Sequence, residues 1–147
     1  MHQLESLYRQ IIMDHYKNPR NKGLVDDPRY TLHHIKNPSC GDDITIQSFI
    51  EQGVVKDIRH EGSGCSICCS SASVLSTLLK GKHVDEAQAL TTNYLKMIMN
   101  KPFDESIELE DALAYQGVTK FPARVKCASI AWKAFEETLK KASEKHE

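Results

Sequence analysis

The chain reads as an α+β domain, a three-stranded antiparallel sheet with helices packed mainly on one face. Three observations predict it. β-branched residues gather in three short runs in the first half, apolar residues recur at helical spacing in the second half, and no helical pattern separates the strand runs to act as a crossover.

Leu4, Leu7, Tyr8, Ile11 and Ile12 recur at three- and four-residue steps and share one helical face. That first helix is expected to stop before Asn18-Pro19, because the residue preceding a proline is pushed out of the helical region. Strands are expected around Tyr30 to Ile35, Ile44 to Ile50 and Val54 to His60, punctuated by Asn37-Pro38 and Glu51-Gln52-Gly53. Gly62-Ser63-Gly64 then breaks the strand pattern. Ile67, Ser71, Val74, Leu75 and Leu78 mark a helix that ends at Lys80-Gly81, glycine being suited to a C-terminal cap. Another helix runs from about Val84 to Met99. A polar connector follows Lys101-Pro102, with a short helix near Leu109 to Tyr115. The last helix follows Pro122 and buries Ile130, Trp132, Phe135 and Leu139.

With 147 residues the chain supports one hydrophobic core, so residues 1–147 are expected to form a single domain. Hydrophobic residues make up 40% and charged residues 27%, enough burial to offset ordering entropy. The formal net charge is -1 and no basic block is present, which argues against nucleic acid or an anionic membrane as partner and in favour of other proteins. Met1 to Asp14 carries Glu5, Arg9 and Asp14, the wrong composition for a signal-peptide core or a membrane span, so a cytoplasmic location is expected. The odd count of five cysteines fits a reducing compartment, where thiols serve metals or chemistry more often than disulfides.

Cys40 lies in the turn Asn37-Pro38-Ser39-Cys40-Gly41-Asp42, Cys65 at the junction of the glycine-rich turn and a helix, and Cys127 in the first turns of the last helix. Element ends are where a scaffold holds ligands rigidly and leaves their sulfurs reachable. Zinc favours four ligands in a tetrahedron, so three thiolates leave one position, and Asp42, two residues from Cys40, can turn its carboxylate to the same centre. Arg124 and Lys126, just before Cys127, are candidates to offset the net negative charge of such a site. Two other readings stay open on spacing alone. Free cysteines often pack as small hydrophobes, although that role calls for none of Gly41, Gly62 or Gly64. Cys65-Ser66-Ile67-Cys68 is also a C-x-x-C, which would suit a thioredoxin-like redox pair but would want a βαβ unit ahead of it. Cys68 and Cys69 return to roughly the face of Cys65, and the small run Ser70 to Ser73 is expected to let this helix pack closely. His33 and His34 point to opposite sides of a strand and cannot share a metal, so they and His60 are expected at the surface or at a sheet edge.

Five stretches together carry a resemblance. They are Leu7-Tyr8-Arg9, Asp14 through Asn21, Asn37 through Asp42, Gly62 through Ile67, and Gln116-Gly117-Val118 through Phe121-Pro122-Ala123-Arg124-Val125-Lys126-Cys127-Ala128. In this order and register they resemble the SufU branch of the IscU/NifU-like family. The resemblance implies metal ligation by Cys40, Asp42, Cys65 and Cys127. IscU-type members carry a histidine where this chain has Lys126, and a shorter spacing between the second and third cysteines; both differences look like SufU. The resemblance further implies a zinc-bound protein of iron-sulfur cluster assembly. It would be sulfurtransferase-like rather than an independent enzyme, taking persulfide sulfur from a PLP-dependent cysteine desulfurase of the SufS type and passing it to the downstream assembly machinery. The alternative is a scaffold on which a [2Fe-2S] cluster is built, with iron in place of zinc. Relatives usually have serine and an apolar residue where this chain has Cys68 and Cys69, one of which could substitute for a ligand that leaves or act as a second sulfur stop.

Sulfur acceptance needs a free thiolate, and a zinc-bound thiolate is deprotonated but weakened as a nucleophile, so one ligand has to let go. Cys40 is the candidate, because its turn is bounded by Pro38 and Gly41 while Cys65 and Cys127 are tied to helices, and a group from the desulfurase could take the vacated position.

Overall fold

The computed structural model describes residues 2–38 and 41–145, with side chains for residues 5–38 and 41–144. Helix α1 (His2–Lys17) precedes strands β1 (Thr31–Asn37), β2 (Asp42–Glu51) and β3 (Val54–Ser63). Helices α2 (Ser66–Leu79) and α3 (Val84–Ile98), a 3-10 segment (Glu110–Lys120) and α4 (Pro122–Lys145) follow. The sheet is antiparallel in the order β1-β2-β3, as the sequence predicts.

Local chemistry sets the boundaries. α1 ends one residue before Asn18-Pro19, where proline forbids the helical region to its predecessor. Gln52 and Gly53 both have positive φ, 54° and 74°, which is the backbone of a two-residue hairpin whose twist matches the flanking strands. Gly81 takes φ 89° just after α2, closing it as expected. The connector differs in kind from the short helix predicted near Leu109. It forms 3-10 turns from Glu110 to Lys120 and runs directly into α4 through Phe121. β3 also continues further than its pattern suggests. Gly62 pairs with Ile44 and Ser63 with Asp43, and a Cβ at Gly62 would lie 2.0 Å from the Asp43 carbonyl oxygen, so only glycine lets the strand carry on there.

α4 covers β1 and β2 and α2 covers β3, so one face of the sheet is buried under helices. Ile44, Ile46, Val55 and Ile58 point into that layer against Trp132, Phe135, Leu75 and Leu79. The Trp132 ring stacks on Tyr94 at 3.9 Å, and burying each such side chain contributes roughly 1.5–3 kcal/mol. α2 sits at the centre with Ser70, Ser71, Ala72 and Ser73 fully buried. The small side chains allow close approach, and their hydroxyls bond locally or to neighbours, Ser71 to the Cys68 carbonyl and Ser70 with Tyr115 at 2.6 Å. Outside the helical layer, the segment after α1 crosses the sheet. Gly23 N–H donates to the His60 carbonyl along the edge of β3, and the Gln47 amide clasps the Val25 backbone. That cover removes an open strand edge.

Candidate metal centre

Three predicted ligands come together from three elements. Asp42 opens β2 and is fully buried, Cys65 is the N-cap of α2, and Cys127 lies in the second turn of α4, 3% exposed. Their nearest ligand atoms, one carboxylate oxygen and two sulfurs, all lie within 4.8 Å of one another. A zinc ion bonds sulfur at about 2.3 Å and carboxylate oxygen at about 2.0–2.2 Å, so a tetrahedron with edges of roughly 3.3–3.8 Å fits this cluster after small side-chain rotations.

The carboxylate is aimed rather than merely enclosed. Asp42 Oδ1 accepts the Cys65 backbone N–H at 3.0 Å, while Oδ2 is buried with no hydrogen-bond partner among the described residues. An orphaned buried carboxylate oxygen is costly, and a cation in front of it removes that cost. Gly64 makes the arrangement sterically feasible. Its φ is 150°, and a Cβ there would come within 2.3 Å of Asp42 Oδ1 and 3.0 Å of Asp42 Cα. The residues present therefore fit a thiophilic divalent cation. Burial pushes the Cys127 thiol well up, reinforced by the neighbouring Asp42 carboxylate and Cys65 thiol, so without a metal Cys127 keeps its proton.

Cys40, expected as a further ligand, lies outside the described residues together with Ser39. Arg124 and Lys126 are exposed on the first turns of α4 and make no ion pair among the described residues. Cys68 is 0% exposed within the hydrophobic core, and burial pushes its thiol far up. That environment is the reverse of a redox-active thiol, and the sheet ahead of it contains no βαβ unit among the described residues. Cys69 is half-buried and lines a cavity of about 220 Å³ with Tyr16, Lys22, His60 and Gly64. His33 and His34 sit on the edge strand β1, His33 beside Lys141 Nζ at 2.8 Å and His34 paired with Asp43. His60 departs from its expected surface place. It is 3% exposed, and its Nε2–H donates to the Arg20 carbonyl at 2.7 Å, a structural tie.

Sequence patterns miss two elements of the site. One is the Cys65 amide that fixes Asp42, since no side chain signals a backbone donor. The other is the closeness of Gly64 to Asp42, for which the Gly-Ser-Gly run is a signal without a mechanism.

The chain is similar to known proteins in sequence and in fold. The model of the family described as NifU-like N terminal domain matches residues 7–145. The zinc-dependent sulfurtransferase SufU of Bacillus subtilis (strain 168) is 46% identical over 138 residues, covering 94% of this chain and 92% of that protein. The iron-sulfur cluster assembly scaffold protein IscU of Thermotoga maritima is 38% identical over 137 residues, covering 93% of this chain and 95% of that protein. Among solved structures, a SufU from Fervidobacterium islandicum AW-1, named as a candidate scaffold protein for the SUF system, superposes with a TM-score of 0.80 at 31% identity. That match spans 88% of this chain and 94% of the other.

Proposed function

This chain belongs to the NifU-like N-terminal domain family, and from that premise we propose that it is a zinc-dependent sulfur acceptor of iron-sulfur cluster assembly. Its partner in this reading is a PLP-dependent cysteine desulfurase, and it passes the sulfur on to the downstream assembly machinery. The observation that carries the proposal is the convergence of Asp42, Cys65 and Cys127 around an unpartnered carboxylate oxygen, in a chain 46% identical to a zinc-dependent sulfurtransferase.

Asp42, Cys65 and Cys127 would hold the ion, with Cys40 as fourth donor. Bound zinc supplies a positive charge that keeps the thiolates deprotonated and ties three elements together. The chain's own residues carry the transfer. Released from its position, the Cys40 thiolate attacks the outer sulfur of the desulfurase persulfide. A new S–S bond forms on Cys40, the S–S bond to the desulfurase cysteine breaks, and the departing thiolate takes up a proton. Cys65 and Cys127, anchored on α2 and α4, keep the centre in place meanwhile. Four cysteines described as free fit a reducing cytoplasmic setting, and among the described residues no helix is long and apolar enough to cross a membrane.

The scaffold reading draws on the name of the Thermotoga relative. Against it stands Lys126, whose ammonium offers no donor to a cluster and whose side chain is exposed. Elemental analysis of protein purified without added metal separates the two. Sulfur acceptance predicts about one zinc per chain and no labile sulfide, whereas iron with matching sulfide and visible absorbance would establish the scaffold instead.

A further inference from the structure

We propose that an acid-rimmed apolar groove on the connector between α3 and α4 seats a basic amphipathic helix of a partner protein, away from the metal centre. The inference does not depend on the function proposed above. Two cavities, of about 370 Å³ and 340 Å³, adjoin here and share Ile107, Glu108 and Glu110. Phe103, Ile107, Leu109 and Leu113 give the first its apolar lining, and Leu78 and Leu90 continue it in the second. Glu105, Glu108 and Glu110 are exposed along the first and Glu86 along the second. None of these four carboxylates has an ion pair among the described residues.

The wall of the groove is tied to the fold. The Asn93 amide of α3 donates to the Asp104 carbonyl at 2.8 Å and accepts the Asp104 N–H at 2.7 Å, and Ile107 N–H closes a turn onto the same carbonyl at 3.2 Å. Glu110, where the two cavities meet, takes φ 51°, a left-handed backbone that a side chain adopts only under constraint from its surroundings. A fixed wall lowers the ordering cost of docking. The groove also lies far from the metal. Cys65 caps the start of α2 and Leu78 lies in its last turn, about 20 Å away along the helix axis, so a partner seated here leaves the metal centre reachable.

Charge and backbone together choose the occupant. Exposed carboxylates with no cation of their own call for lysine or arginine on the partner, and the apolar lining between them calls for leucine-sized side chains. The carboxylates are not a metal site, since the one group of three ligand side chains among the described residues is that of Asp42, Cys65 and Cys127. The walls come from α2, α3, the connector and the 3-10 segment, so an extended peptide would find no strand edge to pair with. A helix brings its backbone hydrogen bonds with it and offers the groove side chains alone.

The test titrates the zinc-loaded full chain into a fluorescent synthetic peptide of about 15 residues, long enough to hold a helix, with leucines at three- and four-residue steps and lysines elsewhere. The peptide should bind saturably and gain helicity. Glu105→Gln, Glu108→Gln and Glu110→Gln combined should weaken binding roughly tenfold. Asp26→Asn, Glu51→Gln and Glu144→Gln combined remove the same charge from exposed positions that line neither cavity, and should change it less than about twofold. A peptide with alanine in place of leucine should not bind. Equal weakening in the two triple variants, equal binding of the alanine peptide, or no saturable binding to the unaltered protein overturns the inference. So does self-association of the chain that the groove variant disperses, which would make the occupant a second copy. Each of these outcomes leaves the proposed function standing, because none of the substituted residues belongs to the metal centre.

Discussion

The Cys65 backbone N–H donates to Asp42 Oδ1 at 3.0 Å, so the first residue of β2 and the N-cap of α2 hold each other in place. That bond commits one oxygen of the carboxylate to the fold and leaves Oδ2 for a metal. Sheet and helix therefore meet at the centre through this backbone-to-carboxylate contact.

Gly64→Ala should damage the centre more than the fold around it. The added Cβ meets Asp42 Oδ1 at 2.3 Å, and the backbone sits at φ 150°, where side chains are rare. Displacing Asp42 should cost about 1–3 kcal/mol of stability and weaken zinc binding at least roughly tenfold. Competition with a chromogenic chelator measures the affinity. Wild-type affinity in this variant would show that Asp42 is not positioned by Gly64.

Asp42→Ala and Asp42→Asn should separate charge from positioning. The asparagine keeps an oxygen for the Cys65 N–H, so its thermal stability without metal should stay near that of the unaltered protein. Both variants lose the anionic donor and should hold zinc roughly 10–100-fold more weakly, without abolishing it. Equal zinc affinity in all three proteins would remove Asp42 from the ligand set.

Much of this was legible in the sequence because its signals were local. Asn18-Pro19 stops α1, Gln52-Gly53 turns the hairpin, and Ile130, Trp132, Phe135 and Leu139 mark the inner face of α4, all as the residues dictate. The grouping of Asp42, Cys65 and Cys127 was legible in part: thiols and a carboxylate beside glycines at element ends suggest ligation, but spacing alone left packing and redox readings open, and the family resemblance supplied the ligand set. The 3-10 form of Glu110–Lys120 was not, because helical periodicity does not distinguish i+3 from i+4 bonding over one or two turns. His60 was misplaced for a related reason. It is buried by the segment after α1 folding back along β3, a contact between residues about 40 apart that no pattern within either segment encodes.

Cys68→Ser tests the redox alternative. A hydroxyl in place of a thiol inside the core should cost about 1 kcal/mol or more, yet zinc content and most sulfur acceptance should persist, because Cys68 is packing rather than chemistry. Abolished activity in this variant, with Cys40→Ser unaffected, would restore Cys65 and Cys68 as a redox pair.

His60 should make the fold acid-sensitive. Burial lowers its pKa below the ordinary value, so as pH falls past about 6.5 the unfolded chain takes up the proton first and the native state loses ground. The contribution is fully present above that pH and lost as pH falls toward the depressed native pKa. His60→Gln keeps a donor for the Arg20 carbonyl and should show a shallower loss in urea midpoint between about pH 7.5 and 5.0. Parallel pH profiles for the two proteins would assign the acid sensitivity elsewhere.

The most direct test of sulfur acceptance is to incubate the zinc-loaded protein with a cysteine desulfurase and cysteine, alkylate it, and map persulfide by mass spectrometry. The account predicts a persulfide on Cys40, and predicts that Cys40→Ser retains zinc while stimulation of cysteine turnover disappears. Persulfide on Cys65 or Cys127 but never on Cys40 in the unaltered protein would contradict it.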